Sequence, residues 1–167
     1  MITALTPVAA LLVSVFILIA GHGLTSTLVP LAGSSFAFSA QSIGLLGSAY
    51  FAGMLLGSFV VAFILKAAGH IRAFAALSSV AMTSILFLPV FVNDYAWMAL
   101  RFVHGFCIAG LYTTIESWLN AKTANDWRAR VLGVYNIMHF AGSALGQQAL
   151  TLIPPTHFSV FSLAGMA

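Results

Sequence analysis

The chain alternates between long apolar runs and short polar breaks, and the length of the runs predicts its architecture. Crossing about 30 Å of hydrocarbon takes about 20 helical residues. Five runs reach that length, at residues 6–29, 43–65, 73–92, 95–119 and 131–153, and a shorter sixth run covers residues 158–167. The pattern therefore predicts an all-α, polytopic transmembrane helix bundle with five complete helices and a truncated sixth.

The breaks between the runs contain residues that stop or start helices. Pro30 and Pro154–Pro155 stand at the expected ends of the first and fifth helices, and Pro89 stands near the end of the third. Ser39 has the side chain and position of an N-cap for the second helix. These breakers support separate helices joined by short loops.

Composition excludes a soluble domain. Charged residues make up 5% of the chain and hydrophobic residues 61%, with a mean hydropathy of +1.05, whereas a soluble domain is about 25% charged. So few charges cannot cover the surface of a water-soluble fold, but a lipid bilayer requires none there. The lipid bilayer is therefore the first expected partner of this chain.

The positions of the basic residues predict the orientation. Five of the six lie in the second and fourth polar breaks, and the first and third breaks have none: Lys66, Arg72, Lys122, Arg128 and Arg130. Basic loops stay in the cytoplasm, so the N-terminus is expected there too, in a bacterial cytoplasmic membrane. Because these residues orient the helices and form no dense cluster, nucleic acid is not an expected partner.

Polar side chains inside the apolar runs predict a cavity. At about 100° per residue, the fourth helix places four of them on one face: Arg101, His104, Tyr112 and Glu116. Asn136, His139 and Gln147 form a stripe on the fifth helix, and the first helix adds His22. Charges at membrane depth usually face a cavity or a partner, so we expect these residues to line one aqueous path.

Two of these residues keep structural alternatives. Arg101 faces the cavity, snorkels toward the outer end of its helix, or pairs with Asp94. Glu116 lies near the cytoplasmic end, where it either faces the cavity or pairs with a basic residue: Arg72, Lys122 or Arg130.

Small residues predict where helices pack. Gly53 and Gly57 form a G-x-x-x-G motif in the second helix, and Gly142 and Gly146 form one in the fifth. Glycine allows close approach of helix backbones in membranes, although such spacings also arise by chance in apolar helices. No metal site is expected, because His104 and Cys107 lack a third ligand nearby.

The fourth run contains a short motif in which an arginine stands four residues before a glycine. Arg101 to Gly105 reads R-F-V-H-G, which resembles the R-x-x-x-G motif of the major facilitator superfamily. In its second loop that superfamily has the signature G-x-L-A-D-R-x-G-R-R. This chain keeps Gly69 and a basic Arg72, but has Lys66 where the aspartate is expected, which makes the motif degenerate.

The resemblance extends to the fourth loop and the end of the fourth helix. Arg128 and Arg130 precede Gly133 at the start of the fifth helix, as in the superfamily. Glu116 to Asn120, E-S-W-L-N, resembles the uncharacterised YcaD-like bacterial branch. The order of helices is that of the N-terminal six-helix half, so residues 1–167 are expected to form an incomplete N-terminal bundle.

The resemblance implies a secondary active transporter that moves a small solute by alternating access. It implies no cofactor and no enzymatic activity, a contribution of Arg101 to proton coupling or substrate binding, and rearrangements at the two basic loops. A fragment of this kind needs the missing C-terminal half or a second copy for transport. The alternatives are a non-transporting membrane subunit or receptor and, less well supported by the sequence, an intramembrane serine protease, for which Ser48 and Ser143 lack the G-x-S-x-G frame.

Overall fold

The chain folds into a helical bundle without strands in its described part. A computed structural model describes the backbone of residues 2–123, 125–151 and 153–166, and the side chains of these residues other than 2–11, 122, 125, 126 and 128. Within these ranges the α-helices, α1 to α6, are Ile2–Ser35, Ala40–Ala68, His70–Leu86, Asp94–Lys122, Asn125–Gln148 and Phe158–Met166. A short 3-10 turn at Ala149–Thr151 follows α5. The predicted all-α bundle is confirmed.

The first helix does not end at Pro30 as expected. It continues to Ser35, and the chain turns at Phe36–Phe38, where Ala37 has a positive φ of 60°. Membrane helices tolerate an internal proline because neighbouring groups satisfy the freed backbone carbonyl. The second helix then begins at Ala40, capped by Ser39, whose hydroxyl accepts the Ser42 N–H at 3.0 Å.

The third and fifth helices end earlier than expected. The third stops at Leu86 rather than 92, because Pro89 disfavours helix at the residue before it and lacks the N–H of a continuing turn. The fifth begins at Asn125 rather than 131 and passes into the 3-10 turn after Gln148. The fourth begins at Asp94, where the Asn93 side chain accepts the N–H groups of Tyr95 and Ala96.

Parallel helices α2 and α4 pack closely through glycine. A Cβ on Gly53 would overlap the carbonyl oxygen of Phe102, and one on Gly105 would overlap that of Tyr50. Gly57 lies against Phe106 in the same way. Because the backbones touch at successive turns in the same order along both helices, α2 and α4 form one parallel pair.

Helices α1 and α5 form a second parallel pair. Gly146 lies against the carbonyl oxygen of Ala20, and Gly142 against that of Phe16. Gly23 contributes from α1, where a Cβ would overlap the backbone of Ser143. Contacts between the α1–α5 pair and the α2–α4 pair are sparse, so space remains between them.

Helices α3 and α6 cover one side and one end of the bundle. α3 packs antiparallel against α4, where Leu77 contacts Gly110, and α6 packs against α3 and α1. Trp97 is fully buried at the start of α4, and its indole N–H donates to the Leu88 carbonyl at 2.8 Å. Phe38 and Phe161 surround this indole, which makes a compact apolar plug at that end.

Large apolar side chains on the outside identify the lipid-facing surface. On α2, Phe51, Leu55, Phe59 and Phe63 repeat every fourth residue and are 62% to 71% exposed. Among the described residues, three helical stretches are long and apolar enough to cross a membrane: Leu12–Ser35, Ala40–Ala68 and Asp94–Ala121. α3 is apolar but shorter, at 17 residues. The chain is an integral membrane protein.

Candidate functional site

A polar cavity separates the two glycine-packed pairs. Its volume is about 410 Å³, and helices α1, α2, α4 and α5 all contribute to its wall. Its polar lining comes from six side chains: His22, Ser26, Tyr50, Arg101, Tyr112 and His139. The rest of the wall is mainly apolar, from the last turns of α1 and the first turns of α2. The volume lies within the range of small-molecule sites, about 300–1,000 Å³.

Arg101 is the buried charge of this cavity. The residue is 6% exposed, and it lies about 10 Å along α4 from Asp94. Its guanidinium carbon lies 4.4 Å from the centre of the Tyr50 ring, a cation–π contact. Its Nε and Nη1 atoms are buried and have no hydrogen-bond partner among the described residues. The alternative pairing with Asp94 is not formed, since that carboxylate accepts a hydrogen bond from Ser42.

His22 lies at the centre of an aromatic cluster around Arg101. Its ring stacks on Tyr50 at 5.8 Å between centroids, and its Nε2 lies 3.4 Å from the Tyr50 hydroxyl. Tyr112 meets the His22 ring edge-on at 6.2 Å and contacts His139 at 5.7 Å. Within the described residues, neither His22 Nδ1 nor the Tyr112 hydroxyl has a hydrogen-bond partner. The cluster thus presents several buried polar atoms beside one cation.

His104 belongs to a second cavity on the other side of His22. This cavity has a volume of about 230 Å³ and is lined by α1, α3, α4 and α6. His104 is 4% exposed, and its Nδ1 lies 3.3 Å from the Ser84 hydroxyl of α3. The rings of His22 and His104 stack at 6.3 Å. His22 lines both cavities, so its ring lies between the Arg101 cavity and the His104 cavity.

Three of the expected cavity residues lie outside both cavities. Glu116 is exposed near the end of α4, where its carboxylate accepts the Tyr135 hydroxyl at 3.3 Å. Asn136 and Gln147 are exposed on α5, and Gln147 donates to Ser143 at 3.4 Å. The glycine face of α5 is turned toward α1, which leaves the far edge of the polar stripe pointing outward. These three side chains therefore line neither of the two cavities, and their place along a solute path stays a prediction.

The basic breaks lie at one end of the bundle. His70 Nε2 lies 3.0 Å from the Ser117 hydroxyl, so the start of α3 contacts the end of α4. Lys66 and Arg72 are exposed on either side of this contact. Gly69 joins α2 to α3 with φ 77° and ψ 165°, a conformation that side chains disfavour. The short α2–α3 connection therefore requires glycine.

The α4–α5 connection carries the other basic residues. The Arg130 guanidinium carbon lies 5.0 Å from the centre of the Trp127 ring. The side chain of Arg128 lies outside the described residues, as does that of Lys122. The opposite end holds the Ser42–Asp94 contact between the starts of α2 and α4. The described arrangement thus matches the alternation of basic and uncharged loops in the sequence.

Two residues of the site were not predicted from the sequence. Tyr50 is the aromatic support of Arg101, but a lone tyrosine in an apolar helix gives no signal of a site. Its position three residues before Gly53, on the face that meets α4, is a usable clue. Ser84 fixes His104 but resembles the many serines that bond to their own helix. In the part of the chain that the structure describes, no group of three metal-ligating side chains occurs.

Comparison with known proteins places these features in a family. Residues 11–162 match the family model described as Major Facilitator Superfamily. The chain is 29% identical over 147 residues to the uncharacterized MFS-type transporter YcaD of Salmonella arizonae, covering 88% of this chain and 38% of that protein. It is 28% identical over 160 residues to YcaD of Escherichia coli O45:K1, covering 96% of this chain and 42% of that protein.

The matches cover most of this chain but less than half of each relative. The chain spans about 38–42% of the length of these curated relatives, while most of its own length is matched. No solved structure gives a significant match.

Proposed function

Because the chain belongs to the major facilitator superfamily, we propose that it forms the N-terminal half of a secondary transporter for a small solute. The observation that carries this proposal is the buried Arg101 in a cavity of about 410 Å³ between two tightly packed helix pairs. A cation at this depth is costly to bury unless it lines a water-filled path or binds a ligand.

The proposed mechanism is alternating access. Glycine contacts hold α1 to α5 and α2 to α4 at backbone distance, so each pair can move as a unit. A second six-helix bundle, either a C-terminal half or another copy of this chain, would complete the solute path opposite the cavity. That the chain covers only 38–42% of its relatives supports the need for a second half.

Coupling to protons is part of the proposal. His22 and His104 stack beside Arg101 and connect the two cavities, and histidine is the side chain best suited to exchanging protons near neutral pH. We also propose that the basic end lies in the cytoplasm of a bacterial cell, with the N-terminus on the same side. On this proposal the chain transports and catalyses no covalent reaction.

Uptake measurements test the proposal. We expect the complete transporter in membrane vesicles to accumulate at least one of a labelled sugar, amino acid, carboxylate or lipophilic cation. Arg101→Ala should abolish that uptake, because the cation of the cavity is lost. Resistance of the variant protein to alkaline extraction checks membrane insertion. Full uptake by a well-inserted variant would reject the role of Arg101, and absence of any uptake by the parent would favour a non-transporting subunit.

A further inference from the structure

We infer that the cavity between the two helix pairs binds a small organic monocarboxylate, with Arg101 as the anchor of the carboxylate. This inference rests on the proposed function, because it names the class of solute for the same cavity.

The charge of the site favours an anion. Arg101 is the cation that lines the cavity, and no described Asp or Glu side chain lies in its wall. Asp94 is bonded to Ser42, and Glu116 to Tyr135, so both described carboxylates have partners elsewhere. A buried guanidinium without a counterion is strongly unfavourable, and an entering anion would remove that cost.

The geometry of the guanidinium favours a carboxylate. Nε and Nη1 both lack a partner among the described residues, and each of them shares one edge of the planar group with Nη2. Two parallel N–H groups match the two oxygens of a carboxylate. The Tyr50 ring contacts one face of the guanidinium, and such a contact uses none of the in-plane N–H donors. A phosphate dianion would need a second positive charge, which the described wall does not supply.

The remaining wall favours an organic body of modest size. Beyond the polar cluster, the cavity is lined by apolar groups of α1 and α2, among them Val29, Leu46, Phe51 and Met54. Tyr112 and His22 add unpartnered polar atoms beside the anchor, which can bond a hydroxyl or keto group. With about 410 Å³, the cavity accepts a molecule of about the size of benzoate.

Pairs of ligands that differ only in charge give a direct test. The chain in lipid nanodiscs is titrated with benzoate and benzamide, with butyrate and butyramide, and with succinate and inorganic phosphate. We expect a monocarboxylate to raise the midpoint of thermal unfolding and to bind in equilibrium dialysis. The matching amide, the dicarboxylate and phosphate should bind at least about 10-fold more weakly, because one guanidinium neutralises one carboxylate.

Variants assign the binding to the anchor. Arg101→Gln should weaken monocarboxylate binding by at least about 10-fold. Arg101→Lys keeps the positive charge but lacks the planar pair of N–H donors. This variant should bind the carboxylate more weakly than the parent but still prefer the acid to the amide. Arg72→Gln removes the same charged group from an exposed site and should bind like the parent. The comparison of acid with amide on the parent protein stands even if an Arg101 variant fails to fold.

Several results would overturn the inference. Equal binding of acid and amide, binding of phosphate alone, or no monocarboxylate binding up to about 10 mM would each do so. The outcome is separable from that of the proposed function. Uptake of a neutral solute without carboxylate binding would support the transporter and reject the carboxylate site. Carboxylate binding without any uptake would support the site and reject transport.

Discussion

Arg101 is kept in an apolar helix by contacts that replace only part of its lost hydration. The Tyr50 ring lies 4.4 Å from the guanidinium carbon, and this cation–π contact is its closest described compensation. Such contacts contribute about 0.5–2 kcal/mol, more when water is excluded. Tyr50 therefore acts as a positioning residue for the cation, and its hydroxyl, 3.4 Å from His22, is secondary.

Two substitutions at Tyr50 separate the ring from the hydroxyl. Tyr50→Phe keeps the aromatic face, so we expect carboxylate binding and thermal stability close to those of the parent. Tyr50→Leu loses the face and should lower stability by about 1–2 kcal/mol, with weaker binding. Unfolding curves and dialysis on both variants check this. Equal losses in the two would mean that the hydroxyl, and not the ring, holds the site together.

The sequence anticipated the residues of the site better than their partners. Intramembrane polarity is conspicuous against an apolar background, so Arg101, His22 and His104 could be selected from the pattern alone. Asn136 and Gln147 were selected by the same periodicity, but they face outward because Gly142 and Gly146 set the rotation of α5 against α1. Tyr50 and Ser84 were missed because their importance comes only from what lies opposite them.

At the scale of elements, the helices are organised by glycine contacts. The two G-x-x-x-G spacings indicate that α2 and α5 have close neighbours, and the structure pairs them with α4 and α1. The choice of partner cannot be derived from spacing, since any helix with a small or flat face would fit. The ends of α1 and α3 show a similar limit, because Pro30 lies inside one helix and Pro89 beyond the other.

A matched pair of glycine substitutions in α2 tests this packing. Gly53→Ala would push a Cβ into the Phe102 carbonyl, so the helices must separate, and we expect a loss of about 1–3 kcal/mol. Gly44→Ala meets nothing within 4 Å and should be neutral or stabilising by up to about 1 kcal/mol. Unfolding by denaturant in detergent micelles measures both. Equal stability of the two variants would contradict a close α2–α4 contact.

At the scale of the whole molecule, the bundle has two chemically different ends, an apolar outer face and a polar cavity. The basic breaks lie at one end, and the apolar plug around Trp97 lies toward the other. The phenylalanine-rich face of α2 points outward, and the polar cavity lies between the helix pairs. Charge predicted the basic end, and hydropathy predicted long helices in contact with lipid. The polar stripes predicted a cavity, but its exact lining could not be predicted, because the lining residues come from four helices that are distant in the sequence.

Thiol labelling measures directly whether a water-accessible cavity lies inside a lipid-covered bundle. In a Cys107→Ser background, single cysteines are placed at Ser26 in the cavity, Phe59 on the lipid face and Lys66 at the basic end. A membrane-impermeant maleimide is applied to intact cells and then to opened membranes. We predict that Ser26→Cys reacts in intact cells, Lys66→Cys only after opening, and Phe59→Cys in neither. Labelling of Phe59→Cys as fast as Ser26→Cys, or of Lys66→Cys from outside, would contradict the account.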